Sequence, residues 1–79
     1  MKRLPIRTRD KRLGIMAEFI SDDGTVRWRV EKHHLYGATR DKDRDIYDAC
    51  SRRQGTWQFK PVKGFATLAQ AVAFVMEHE

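Results

Sequence analysis

Seventy-nine residues with 41% hydrophobic and 10% aromatic side chains make one small domain, too apolar to stay disordered and near the lower size at which a single core holds a fold. The lone Cys50 excludes an intrachain disulfide, and no apolar run approaches the ~20 residues that span a bilayer. The net charge of +5 lies wholly in the first twelve residues, where Lys2, Arg3, Arg7, Arg9, Lys11 and Arg12 stand against one acid, Asp10. Such an asymmetry points to a polyanionic partner. With no membrane-spanning segment and no signal-peptide core behind the basic residues, a cytoplasmic protein is expected.

Residues 1–12 alternate weakly through Leu4, Ile6 and Thr8 around Pro5. A proline has no N–H to give a ladder, so this stretch reads as a basic arm or an edge strand with little apolar surface. Ile15–Ser21 is the first firm strand, and Asp22-Asp23-Gly24 after it is a hairpin signal. Thr25–Glu31 then alternates strictly, Val26, Trp28 and Val30 on one side and Arg27, Arg29 and Glu31 on the other, the pattern of a half-buried strand. A two-residue turn at Asp23-Gly24 sets Phe19 opposite Trp28, Ala17 opposite Val30 and Glu18 opposite Arg29. Ile15, Ala17, Phe19, Val26, Trp28 and Val30 then share the core face, and Met16, Glu18, Ile20, Arg27, Arg29 and Glu31 share the wet one. A register slipped by one residue places Glu18 beside Trp28 in the core, which the cost of burying a carboxylate forbids.

The second strand is expected to continue through Lys32 and His33 and to break at Tyr36-Gly37. Asp41–Gln54 has acids early, bases late and Gly55 after it, with Ile46, Ala49, Cys50 and Arg53 at three- and four-residue spacing. That arrangement predicts a short amphipathic helix or a loop between strands two and three. Thr56–Lys60 alternates again, giving a third strand with Trp57 and Phe59 inward and Pro61 closing it. Thr67 with Gln70 makes a capping-box pattern, and Leu68, Ala71, Val72, Val75 and Met76 form one stripe with Phe74 at its margin. This C-terminal helix is expected to cover Trp28, Phe19 and Phe59. The fold class is therefore α+β: an arm or edge strand over residues 1–12, then one domain over 13–79 with a small antiparallel sheet and a helix on one face.

Chemistry-bearing motifs are scarce. Adjacent strand residues such as His33 and His34 point to opposite faces, and no Cys-x-x-Cys or His-x-x-x-His pair joins them to Cys50 or His78, so no metal site is expected. Asp41, Asp43, Asp45 and Asp48 lack the central glycine and terminal glutamate of a calcium loop, and Lys42 and Arg44 offset them. Neither a phosphate-cradling glycine loop nor a Ser/His/Asp signature occurs. The reading is a non-enzymatic protein with no cofactor and no evident small-molecule substrate.

Function is then sought on the surface. Arg27 and Arg29 share a strand face, and an arm bringing Lys2, Arg3, Arg7, Arg9, Lys11 and Arg12 beside them makes a continuous cationic patch. Arginines lie along phosphates or fork onto guanine edges, and a small sheet fits the major groove. Glu18, opposite Arg29, can neutralise part of it, and Tyr36, Tyr47 and His33 offer surfaces on which single-stranded bases can stack. A hairpin, a third strand and a terminal helix opened by Phe65-Ala66-Thr67 resemble, over residues 13–78, the arm-binding domains of phage-type integrases. That resemblance implies DNA binding through a three-stranded sheet. The second reading is a phage or mobile-element protein that binds and inhibits a host protein complex, such as a defence complex, through exposed Met16, Ile20 and Tyr36.

Overall fold

The computed structural model describes residues 1–35 and 44–78. In chain order the elements are β1 (Lys2–Leu4), α1 (Thr8–Arg12), β2 (Ile15–Ile20), β3 (Val26–Leu35), β4 (Arg44–Arg53), β5 (Lys60–Phe65) and α2 (Leu68–Met76). The strands form one antiparallel sheet in the order β1-β2-β3-β4-β5, and α2 lies across β3, β4 and β5. The α+β class read from the sequence is the class observed; the sheet has five strands among the described residues, where a hairpin, a third strand and an N-terminal arm or edge strand were expected. No helix among the described residues is long and apolar enough to cross a membrane.

The hairpin register follows from side-chain chemistry. Phe19 pairs with Trp28, Glu18 with Arg29 and Ala17 with Val30, which keeps Glu18 out of the core. The turn that produces this register is not the expected two-residue one. Gly24 donates its N–H to the Ser21 carbonyl, Ser21 donates to the Val26 carbonyl, and only Gly24 has positive φ (76°). The Asp23 carboxylate accepts from the Thr25 N–H at 3.0 Å and from the Ser21 and Thr25 hydroxyls at 2.7 Å each. These bonds hold the Asp23 carboxyl at a pKa of about 2, the Thr25 backbone bond being the largest cause.

At the other end of β2 the register shifts between Ile15 and Ala17, so Ile15 stands opposite Glu31 and stays outside the core cluster, where it was expected. Bulges re-aim side chains in this way. Gly14 just before it needs its glycine: φ is +88°, and a Cβ would stand 3.0 Å from the Lys32 carbonyl oxygen.

The basic N-terminal stretch is built into the fold. Lys2–Leu4 pairs with β2 as an edge strand, and Met1 and Ile6 pack against the core. The stretch thus carries more apolar contact than its composition suggests. Thr8–Arg12 is a short helix that alternation did not suggest; Asp10 accepts from the Arg7 N–H at 3.1 Å and so caps its first turn.

Two expectations are corrected on the C-terminal side. The part of Asp41–Gln54 that is described is neither helix nor loop: Arg44–Arg53 is β4, paired with β3 residue for residue from Val26↔Arg53 to Leu35↔Arg44. Asp41, Lys42, Asp43 and Tyr36 lie outside the described residues. The third strand was expected at Thr56–Lys60, closed by Pro61; β5 instead begins at Lys60 and contains Pro61. Proline is tolerated because β5 is an edge strand whose register shifts opposite Ala49 and Cys50.

The core is Ala17, Phe19, Trp28, Val30, Ala49, Ala71 and Val75, flanked by Val26, Tyr47, Phe65, Leu68, Val72 and Phe74. Three of its members are fully buried alanines, Ala17, Ala49 and Ala71, which let helix and sheet approach closely. Phe74 meets Trp28 edge-on (6.1 Å, 79°) and Phe65 at 5.2 Å, so it lies in the aromatic layer and not at its margin. Met76, expected in the buried stripe, is exposed. Thr67 caps α2 by accepting from the Gln70 N–H at 3.2 Å.

Candidate nucleic-acid interface

Because α2 covers one face of the sheet, the side chains alternating away from it form an open face. On β3 these are Arg27, Arg29, Glu31 and His33. Across the ladder on β4 they are Arg52, Cys50, Asp48 and Ile46. The β2–β3 turn and the β4–β5 connection lie at the same end of the sheet, joined by the Gln54 N–H donating to the Thr25 carbonyl at 2.7 Å. Lys2 pairs with Ile20, Ile20 with Arg27, and Arg27 with Arg52. At this hairpin end one row of the open face therefore reads Lys2, Ile20, Arg27, Arg52, spanning roughly 14 Å at the usual strand spacing.

Charge is segregated along the strands. Arg29, one row in from the hairpin end, bonds Glu31 through Nε at 2.5 Å. The expected cross-strand pair with Glu18 is not the one made. Glu31 also meets His33 Nε2 at 3.2 Å, and Asp48 approaches the same nitrogen at 3.5 Å. The cationic row and the acidic group at Glu31 and Asp48 are thus about 13 Å apart along β3. On the opposite face Asp45 is held below the usual carboxylate range, first by its hydrogen bond to His34 and then by Lys32.

Aromatic residues from the β4–β5 connection join the cationic end. The Arg29 guanidinium lies over the Phe59 ring at 4.2 Å and that of Arg52 at 5.2 Å. Both distances are within cation–π range. Arg52 also donates from Nη1 to the Thr56 carbonyl at 3.0 Å, while its Nε is buried without a hydrogen-bond partner among the described residues. Trp57 is 93% exposed, against 6% for Trp28. Both Trp57 and Phe59 were expected inward under α2; Trp57 projects into solvent, and Phe59 is half-buried against the arginines.

Beneath them Cys50 is 2% exposed although it faces away from the helix, with Arg29 directly across and Pro61 beside it on β5. Burial pushes its thiol up to about 11, with Glu31 and Asp48 adding to the shift. Cys50 is a packed thiol here. Among the described residues no group of three or more His, Cys, Asp or Glu side chains is placed to hold a metal ion.

The basic residues singled out in the sequence do not form one patch. Lys2, Arg27 and Arg29 gather at the hairpin half of the open face. Arg3 pairs with Phe19 and lies over its ring at 5.7 Å, on the helix-covered side. Arg7, Arg9, Lys11 and Arg12 are exposed on or beside α1 at the opposite end of β2, where Gly14 accepts from the Lys32 N–H at 2.7 Å. Met16 and Ile20 are half-buried and not free anchors; Met16 lines a groove with Leu4, Pro5, Ile6 and Leu68. Tyr47 packs against the core, which removes it as a stacking surface.

Sequence reasoning missed Arg52, Trp57 and Phe59. Their signal was present as a basic pair, Arg52-Arg53, followed by aromatics at alternate positions, but Trp57 and Phe59 were assigned to the core. Compared with protein-family models, curated proteins and solved structures, the chain finds no match.

Proposed function

We propose that the protein is a nucleic-acid-binding module that holds phosphates at the hairpin end of its open sheet face. The observation that carries this reading is the row Lys2, Arg27, Arg52, which contains no acid. The nearby turn acids are engaged locally: Asp22 bonds the N-terminal ammonium at 2.7 Å, and Asp23 is consumed by the turn. Arg27 makes no ion pair or hydrogen bond through its side chain among the described residues, so its charge has no structural use. An exposed arginine in one row with two further cations, the nearest acids of the face lying outside that row, is the electrostatic footprint of a phosphate contact. The protein-binding alternative has less to stand on, since the exposed large apolar residues other than Trp57 are scattered, Leu13 just after α1, Val62 on β5 and Met76 at the end of α2.

The test is a binding titration over a salt series with the full chain. Wild type should bind nucleic acid with a log–log salt slope of about −0.7 to −0.9 per phosphate contact. Arg27→Gln with Arg52→Gln should weaken binding and flatten the slope. Joint replacement of Arg7, Arg9, Lys11 and Arg12 by glutamine should change both less. The absence of binding to any strand at low salt would overturn the proposal.

A further inference from the structure

We infer that Trp57 and Phe59 form a base-stacking platform, which makes single-stranded nucleic acid the ligand of this surface; the inference rests on the phosphate-binding reading above. Trp57 leaves almost its whole indole in water. Burying a side chain that large would be worth several kcal/mol at about 25 cal/mol per Å², yet the chain buries Trp28 and leaves Trp57 out. The position of Trp57 is not that of a frayed terminus. It follows a closed turn in which the Thr56 N–H and hydroxyl both donate to the Arg53 carbonyl, at 3.1 and 2.7 Å. Arg52 then ties down Thr56 from the strand below.

Trp57 lines an open depression of about 440 Å³ with Arg29, Arg52, Gln58 and Phe59. Two guanidiniums, two aromatic rings and one side-chain amide thus converge on a single hollow. Arg29 uses its Nε on Glu31, and its terminal N–H groups have no protein acceptor among the described residues. Phosphates can be met by the guanidiniums while an adjacent base lies on the indole. In a duplex every base face is already stacked on its neighbours, so an exposed ring beside phosphate contacts rewards only an unpaired base. Nothing about the hollow reads base edges in series, so the expected preference is for strandedness and not for sequence.

The experiment uses the full chain at low salt with four probes: a 12-nucleotide mixed-sequence DNA strand, the RNA equivalent, the matching DNA duplex, and an abasic strand with the same phosphates. Indole fluorescence reports directly, because Trp57 is open to acrylamide quenching and Trp28 is buried. The base-containing strands should bind at least tenfold tighter than the abasic strand and the duplex, and should protect Trp57 from acrylamide. Trp57→Ala should reduce their affinity roughly 10- to 100-fold, the contribution of one stacked base, down to that of the abasic strand. Trp57→Phe should restore most of it. A thermal melt unchanged by Trp57→Ala shows that the loss is not unfolding. Equal binding of abasic and base-containing strands, a duplex bound as tightly as single strands, or an unaffected Trp57→Ala would overturn the platform while leaving phosphate binding in place. Failure of every probe to bind would overturn both proposals.

Discussion

Trp28→Ala is the most severe single test of this fold. The indole is 6% exposed, stands opposite Phe19 on β2 and Ser51 on β4, and meets Phe74 of α2 edge-on. Truncating a buried aromatic to alanine costs roughly 3–5 kcal/mol; losing the edge-on contact puts this site toward the upper end, because such pairs contribute about 0.5–1.5 kcal/mol beyond area. At about 0.05–0.15 kcal/mol per residue, a chain of this length has some 4–12 kcal/mol of total stability. The substitution therefore removes between about a quarter and all of it. Urea and thermal unfolding followed by far-UV circular dichroism should show either no cooperative transition or a Tm lower by at least about 12 °C, taking ~4 °C per kcal/mol for a domain of this size. Trp57→Ala, which removes an equal ring from solvent, should change stability by less than about 0.5 kcal/mol. A Trp28→Ala protein that melts within a few degrees of wild type would refute the assignment of the core to this helix–sheet contact.

Three further outcomes can be checked on the same instruments. Thr67→Ala should cost about 1 kcal/mol through the lost cap on Gln70, while Thr67→Asp should be nearly neutral; equal losses would place the start of α2 elsewhere. Asp23 is depressed from 3.8 to about 2, so its contribution is complete above pH 4 and is lost as pH falls through 2. The Tm gap between wild type and Asp23→Ala should accordingly close over that window, and a gap constant from pH 5 to pH 2 would contradict the turn described. Cys50 is raised from 9.0 to about 11, so the stability it lends is present below pH 9 and declines as pH rises toward 11. Its alkylation at neutral pH should proceed no faster than global unfolding, and rapid labelling of native protein would show that the thiol is not covered.

What the sequence made legible was wherever one face is apolar and the other charged. Val26, Trp28 and Val30 against Arg27, Arg29 and Glu31 left a single register for the hairpin, because any slip buries Glu18. Thr67 and Gln70 marked the helix start in the same way, through a bond whose geometry requires that spacing. β4 was not legible, since its helix-facing residues include Ala49 and Ser51, small enough for α2 to sit close, while Ile46 and Cys50 lie on the other side. With apolar residues on both faces the period-two signal cancels, and the residual three- and four-residue spacing imitates a helix. The preference of this stretch is settled by its partner: β3 extends through Leu35 and needs a second neighbour for its backbone groups, which β4 supplies. Trp57 was misplaced because hydrophobicity alone cannot tell a ring kept for the core from one left in solvent.

The open face raises a question that bears on function, because a sheet with a helix on one side must still cover the other. Cys50 is buried there with no second helix among the described residues, Arg29 directly across from it and Arg52 two residues on, both over the Phe59 ring, so the aliphatic stems and stacked guanidiniums serve as a thin second layer. Those arginines could then exist for packing alone. Arg27 and Arg52 separate the two roles. Arg52→Met keeps a stem of similar length and removes the buried Nε that lacks an acceptor, at the loss of one bond to Thr56 and one contact with Phe59. These terms oppose one another, so stability should change by no more than about 1 kcal/mol. Arg27→Gln touches no packed group and should change it by less than about 0.5 kcal/mol. If the row is only a roof, neither substitution alters binding to a phosphate backbone. If it is a contact surface, both weaken binding, and each lowers the salt slope by close to one contact. Arg27 decides the matter, since its charge gains nothing from the fold that presents it.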